Sequence, residues 1–242
     1  MAREDKTLER SYKKHSITYD KQRFDGKANN YLEQVRSDAF FALMPDDRNL
    51  KVLDVGCGTG RGTLLLKQRG YCVTGIDYTK EMLEIAKKKI NQSEQGKVFL
   101  GQGNAKALPF KDNTFDCVIS LNFVHMFGIE PQRVLIAEMS RVLKPGGTLI
   151  VEFDNYYKGL IMGGRVQKQK HRTHFNKPSD LIYLFEEKKY QIEKAYGAAI
   201  PFAWRLFQNL PNFFRYVERI TWCYPFKFWA ERLYVKTTKK SA

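Results

Sequence analysis

The chain has 242 residues, 43% of them hydrophobic, and a formal net charge of +15. That length suits one α/β unit with a full core, and no run approaches the ~20 apolar residues needed to span a bilayer. Four cysteines without C-x-x-C spacing argue against a zinc site and a disulfide framework, so no metal is expected and a reducing, cytoplasmic setting is; the charged start Met1–Lys6 lacks the apolar stretch of a signal peptide.

Residues 1–26 are polar, with Tyr12, Tyr19 and Phe24 spaced among charges, and read as an arm. Leu32, Val35, Ala39 and Leu43 recur at helical spacing until Pro45. Strand one covers about 50–55, a helix 61–69, strand two 71–76 and a helix 79–91. Strand three (97–102), strand four (115–120), a helix (130–143) and strand five (147–153) follow, the last after a Pro-Gly-Gly turn. Pro178 suits the first turn of a helix carrying Leu181, Ile182, Leu184 and Phe185. Tyr190–Tyr196 reads as a sixth strand, and Leu233, Val235 and Thr237 alternate in a seventh. Strands alternating with helices imply a doubly wound, mostly parallel sheet with its ligand at the strand-order switch point.

The chemistry concentrates in Val52-Leu-Asp-Val-Gly-Cys-Gly-Thr-Gly60. An apolar run carrying one acid, Asp54, breaks into alternating glycines. Gly56, Gly58 and Gly60 permit a turn closed to other residues and let a ligand touch bare backbone. A dinucleotide fingerprint needs G-x-G-x-x-G, but its third position falls on Arg61 in one frame and Thr63 in the other. Strand two ends in Asp77, 21 residues after Gly56, where a carboxylate can accept ribose hydroxyls. Strand three closes in Asn104-Ala105.

This series resembles the class I S-adenosylmethionine-dependent methyltransferases, in particular the ubiquinone/menaquinone-type and small-molecule enzymes, over about residues 50–155. The resemblance implies a Rossmann-like seven-stranded sheet with an antiparallel last strand, and S-adenosyl-L-methionine as cofactor. It implies that Asp54, Gly56, Cys57 and Gly58 surround the methionine part and that Asp77 binds the ribose. Tyr78 and Met82 would flank the adenine, Asn104 (where the family usually has Asp) and Ala105 would read its edge, and Leu121 and Asn122 would lie beside the methionine. Tyr19, in Thr18-Tyr19-Asp20, resembles a motif that closes over the cofactor.

For an oxygen or carbon acceptor a base is required, and His125, just after strand four, is the candidate; His171 and His174 are weaker alternatives. Cofactor and histidine roles each have a plainer reading as packing. The family joins strands six and seven by a hairpin, whereas here residues 198–230 intervene with eleven aromatics and interleaved Arg205, Arg215 and Arg219. They suit a substrate lid, a peripheral membrane contact or plain packing. The cluster Arg165–Arg172 and the net charge suit an anionic partner.

The organisation expected is one domain: an N-terminal arm and helix (1–49), a cofactor-binding core (50–155) and a substrate-side region (156–242). The function expected is methylation of a small apolar, amphiphilic or anionic metabolite at oxygen or carbon. The alternatives are a tRNA methyltransferase, for which no separate RNA-binding module is visible, and a non-catalytic cofactor-binding partner of another methyltransferase.

Overall fold

The computed structural model describes Thr18, residues 27–91, 96–157, 174–185 and 189–199, Arg219 and residues 230–240. Tyr19, His15, His171, the basic cluster 165–172 and nearly all of the aromatic insertion lie outside the described residues.

Helix α1 (Lys27–Phe41) precedes β1 (Lys51–Val55), α2 (Arg61–Lys67), β2 (Cys72–Asp77), α3 (Lys80–Ile90) and β3 (Val98–Gln102). Then come β4 (Phe115–Ser120), a 3-10 turn (Val124–Met126), α4 (Ile129–Val142), β5 (Leu143–Asn155), β6 (Phe175–Asn176), α5 (Pro178–Leu184), β7 (Tyr190–Ala198) and β8 (Arg232–Lys239). The sheet order is β3-β2-β1-β4-β5-β8-β7, with β6 paired to β5 off that path. Strands β1 to β5 pair in parallel; β8 runs antiparallel to both β5 and β7. This is the expected doubly wound architecture, with the two-residue β6 as an unforeseen addition.

Each face of the sheet follows from strand alternation. Val52 of β1 joins Val73, Cys117, Ile119 and Ile150 under α1, whose Tyr31, Val35 and Ala39 recur every four residues. Leu53 and Val55 point the other way, toward Leu135, Ile136, Met139 and Val142 of α4. Both faces are therefore covered, and the parallel strands read as near-continuous apolar runs for that reason.

Both ends of β5 differ from the sequence reading. Strand β5 begins at Leu143 rather than 147. The ladder jumps from Phe115↔Leu143 to Cys117↔Thr148, so Lys144–Gly147 bulges out without ending the strand. At the other end β5 runs to Asn155, where Asp154 pairs with Arg232 and Asn155 with Asn176. The sequence pattern ends at 153 because Asp154 and Asn155 are polar, yet both are buried.

The chain reverses strand order between β1 and β4, so the carboxyl ends of those two strands flank an opening. Pairing there stops at Asp54↔Ile119. The Val55 carbonyl accepts the buried Ser120 hydroxyl instead, at 2.9 Å, which satisfies a backbone group the ladder has left. The β7–β8 junction lies at this same edge of the sheet, because Arg232 pairs with Asp154 at the carboxyl end of β5.

Candidate cofactor and acceptor site

The turn after β1 is held by backbone. The Gly56 and Cys57 amides both donate to the Ile76 carbonyl, at 2.8 and 3.1 Å, which lays the turn across the end of β2. Gly56 has φ +74°, and a Cβ there would sit 2.3 Å from Phe123 Cγ, so neither the conformation nor the space admits a side chain. Gly58 has φ +53° and nothing within 4 Å of its would-be Cβ: it leaves open space above bare backbone.

Asp77 crowns β2. Its Oδ2 accepts the Gly58 amide at 2.8 Å and its Oδ1 the Thr79 amide at 2.9 Å. Burial raises its pKa from the ordinary carboxylate value, while those amides pull the other way. Asp54 is more deeply placed. Its Oδ2 accepts the Thr63 hydroxyl at 2.7 Å, and burial, reinforced by the charge of Asp77, raises its pKa from 3.8 to about 6. The same environment pushes the Cys57 thiol well up, burial first and the two carboxylates second, so Cys57 is an inert packing thiol.

Two adjoining clefts open on this turn. The first is lined by Gly56, Gly58, Asp77, Tyr78, Met82, Asn104, Ala105 and Asn122, together with Phe123, Phe127 and Lys106. The second is lined by Asp54, Gly56, Cys57, Gly58, Leu121 and Asn122, with Glu33, Arg36, Phe40, Arg61, Glu152 and Tyr234. Gly56, Gly58 and Asn122 belong to both. Asn122 has φ +54°, an uncommon conformation that Asn tolerates better than most residues, and its amide donates to Glu152 Oε2 at 3.0 Å. All eleven described cofactor candidates thus line one cleft or the other; Tyr19 is the twelfth.

Asn104 differs in detail from the expectation. Its Oδ1 accepts the Lys106 amide at 2.9 Å, so one lone pair remains for a ligand. His125 lies elsewhere. Its ring nitrogens are 3.3 and 3.4 Å from Arg232 Nη1, its carbonyl accepts the His174 amide, and it lines neither cleft. The His174 ring lies 3.8 Å from Asp180.

The sequence reading missed the charged wall of the second cleft. Arg36 and Arg61 both pair with Glu33 at 2.9 Å. Glu152 and Asp154 flank Arg232, at 3.4 and 2.8 Å. Burial alone would lower the Arg232 pKa, but the two carboxylates outweigh it and hold the guanidinium charged. A signal for Glu152 was present: like Asp54, it is an acid inside an apolar strand, in Leu149–Phe153.

The residues fit an S-adenosylmethionine-like ligand. Asp54 is a fully buried carboxylate that a cationic ammonium would relieve, and Gly58 offers bare backbone beside open space. Comparison with known proteins agrees. Residues 53–151 match the family model described as a methyltransferase domain. The chain is 43% identical over 106 residues to the demethylmenaquinone methyltransferase of Staphylococcus aureus, a match covering 43% of this chain and 42% of the relative. The corresponding protein of Lactiplantibacillus plantarum is 39% identical over 106 residues, covering 42% and 44%. The matches therefore span less than half the length of these relatives.

Among solved structures, magnesium protoporphyrin IX methyltransferase from Synechocystis PCC 6803, determined with bound SAH, superposes with a TM-score of 0.72 at 15% identity, covering 98% of this chain and 100% of that one. A chain from the complex between the Haloferax volcanii Trm112 methyltransferase activator and the putative methyltransferase gives 0.70 at 18% identity, covering 97% and 98%. At such identities the likeness establishes the fold.

Proposed function

We propose that this protein transfers the methyl group of S-adenosylmethionine to a small apolar or amphiphilic metabolite, at oxygen or carbon. The observation that carries the reading is Asp77, with each carboxylate oxygen anchored by a loop amide at the tip of β2 beside the glycine turn. Support for a small apolar or amphiphilic acceptor comes from the relatives named demethylmenaquinone methyltransferase and from the eleven aromatics of the stretch 198–230.

In this reading Asp77 accepts the two ribose hydroxyls and Asp54 takes the ammonium of the methionine part. Tyr78 and Met82 hold the adenine, with Asn104 and Ala105 at its edge. Arg36 and Arg61, on the second cleft, suit the methionine carboxylate. The bound cofactor supplies an electrophilic methyl group on a sulfonium centre. The chain's own contribution is chiefly placement, holding the acceptor at attack distance in a site walled from water. The position of His125, packed on a guanidinium and outside both clefts, does not support its expected role as base.

Calorimetry with S-adenosylhomocysteine tests the proposal. Wild-type protein should bind it and not a nicotinamide dinucleotide, and Asp77→Ala should weaken binding by about 1–3 kcal/mol, the scale for losing hydrogen bonds to a charged group. Equal affinity in wild type and variant would remove Asp77 from the ribose site.

A further inference from the structure

On the charged wall of the second cleft a carboxylate stands between two arginines. Glu33 of α1 accepts Arg36 Nη1 on Oε1 at 2.9 Å, from one helical turn away. Its Oε2 meets Arg61 Nε of α2, also at 2.9 Å. The Glu33 side chain is only 10% exposed, and all three residues line the cleft together with Asp54. A carboxylate spanning two guanidinium groups makes strong, charge-assisted contacts. These are the contacts that the methionine carboxylate would make with the same arginines. The two arginines are held differently. Arg36 shares a helix with Glu33, and its Nη2 stands 3.7 Å from a second acid, Glu231. Its buried Nε has no hydrogen-bond partner among the described residues, so it keeps a donor for one more oxygen. Arg61 comes from another helix, and its side chain is 37% exposed, so it can turn away from Glu33 with little loss of buried contact.

We infer that Glu33 competes with the carboxylate of the cofactor for Arg61, and so limits how tightly S-adenosylmethionine and its demethylated product are held. On binding, Arg61 exchanges the Glu33 carboxylate for that of the ligand, while Glu33 stays paired with Arg36. Each guanidinium keeps a carboxylate throughout, so the exchange leaves no shielded charge alone. What the ligand gains from Arg61 is offset by what Glu33 gives up. The effect falls on the ligand's carboxylate alone, because Asp54 and Asp77 are assigned to the ammonium and the ribose. This rests on the proposal that the clefts hold S-adenosylmethionine; it adds a residue that tunes that binding.

Calorimetry on the full chain compares S-adenosylhomocysteine with decarboxylated S-adenosylhomocysteine, which keeps the ammonium and lacks only the carboxylate. Glu33→Gln removes the competitor. It should tighten S-adenosylhomocysteine by on the order of tenfold, the scale of one hydrogen bond between charged groups, without tightening the decarboxylated analogue. Arg61→Gln should cancel that gain: the double variant should bind S-adenosylhomocysteine no better than Arg61→Gln alone. Glu33→Asp, one methylene too short to span both arginines, should shift the preference in the same direction and serves if Glu33→Gln fails to fold. An unchanged or weaker affinity for S-adenosylhomocysteine, equal tightening of both ligands, or a gain that survives Arg61→Gln overturns the inference while leaving the cofactor proposal standing. Binding of neither ligand by wild type overturns the cofactor proposal, and the role of Glu33 with it.

Discussion

The two halves of the sheet build their share of the site from different materials. Around β1 and β2 the surface is backbone: Gly56, Gly58 and the amides that hold Asp77. Around β5 and β8 it is side-chain charge inside strands, where Glu152, Asp154 and Arg232 sit almost without solvent. A backbone-built site depends on local conformation and so needs particular residues close together in sequence. A charge-built site depends on strand pairing, and its members come from positions some 80 residues apart, such as Glu152 and Arg232. The two halves should therefore fail differently when altered.

The largest effect is expected in the charged half. Asp154→Ala leaves the buried Arg232 without its 2.8 Å partner, and breaking a buried pair by removing one member costs about 3–5 kcal/mol. Denaturant unfolding should show that loss. A change below about 1 kcal/mol would mean that Glu152 alone compensates Arg232, and the two-carboxylate account would fall.

In the backbone half, adjacent glycines should separate conformation from space. Gly56→Ala meets Phe123 at 2.3 Å and keeps φ at +74°, so a left-handed penalty of about 1–2 kcal/mol adds to overpacking of about 1–3 kcal/mol. Gly58→Ala meets nothing within 4 Å and should lose only the first of these in stability, while placing a methyl group beside the cofactor cleft. Unfolding midpoints paired with S-adenosylhomocysteine affinity would resolve the two. Equal stability losses would show that space around Gly56 relaxes freely.

Asp54 links the halves to pH. Its folded-state pKa is about 6 against an ordinary 3.8. Between those values the folded protein retains a proton that the unfolded chain has lost. Stability from this group is thus highest below about pH 4 and falls as pH rises toward 6, by about 3 kcal/mol at most. Asp77, also raised, pushes the same way. Asp54→Asn should flatten that slope in unfolding measured between pH 4.5 and 7. Ligand affinity should run oppositely, rising through pH 6 as the carboxylate ionises to meet an ammonium. An unaltered stability slope in Asp54→Asn would contradict the buried, poorly compensated carboxylate described here.

This division explains what could be read from the sequence. The run Val52–Gly60 holds its acid, its turn and its ligand-facing backbone within nine residues, so strand and turn were both legible, as were the place of Asp77 at the end of β2 and the doubly wound, mostly parallel sheet. Thr63, the partner of Asp54, was not singled out, because a threonine one helical turn into α2 carries no signal by itself. Glu152 stood out in its apolar strand and was passed over for lack of a motif. The surroundings of His125 were hidden for a related reason. Its position after β4 says that it is near the site's edge, but only the β5–β8 pairing reveals that Arg232 occupies the space beside its ring. The bulge that starts β5 at Leu143 was hidden because Pro-Gly-Gly signals a turn whether or not the strand resumes its ladder.

The smallest predicted effect is the control for the first. Asp116 lies at the amino end of β4, on the edge remote from the clefts, with Oδ1 2.6 Å from Lys144 Nζ and Oδ2 accepting the Lys51 amide at 2.9 Å. Burial nudges its pKa up, but the Lys144 and Lys51 hydrogen bonds and charges outweigh that and lower it. Its partner Lys144 is 41% exposed, so water and salt already compensate both charges. Exposed pairs of this kind contribute about 0–1 kcal/mol, even at a distance shorter than that of the Asp154–Arg232 contact. Asp116→Asn should therefore shift the unfolding midpoint only slightly, the shift should shrink further in high salt, and S-adenosylhomocysteine affinity should stay at the wild-type value. A loss matching that of Asp154→Ala would show that burial is not what separates the two pairs, and would undo the contrast between the halves of the sheet.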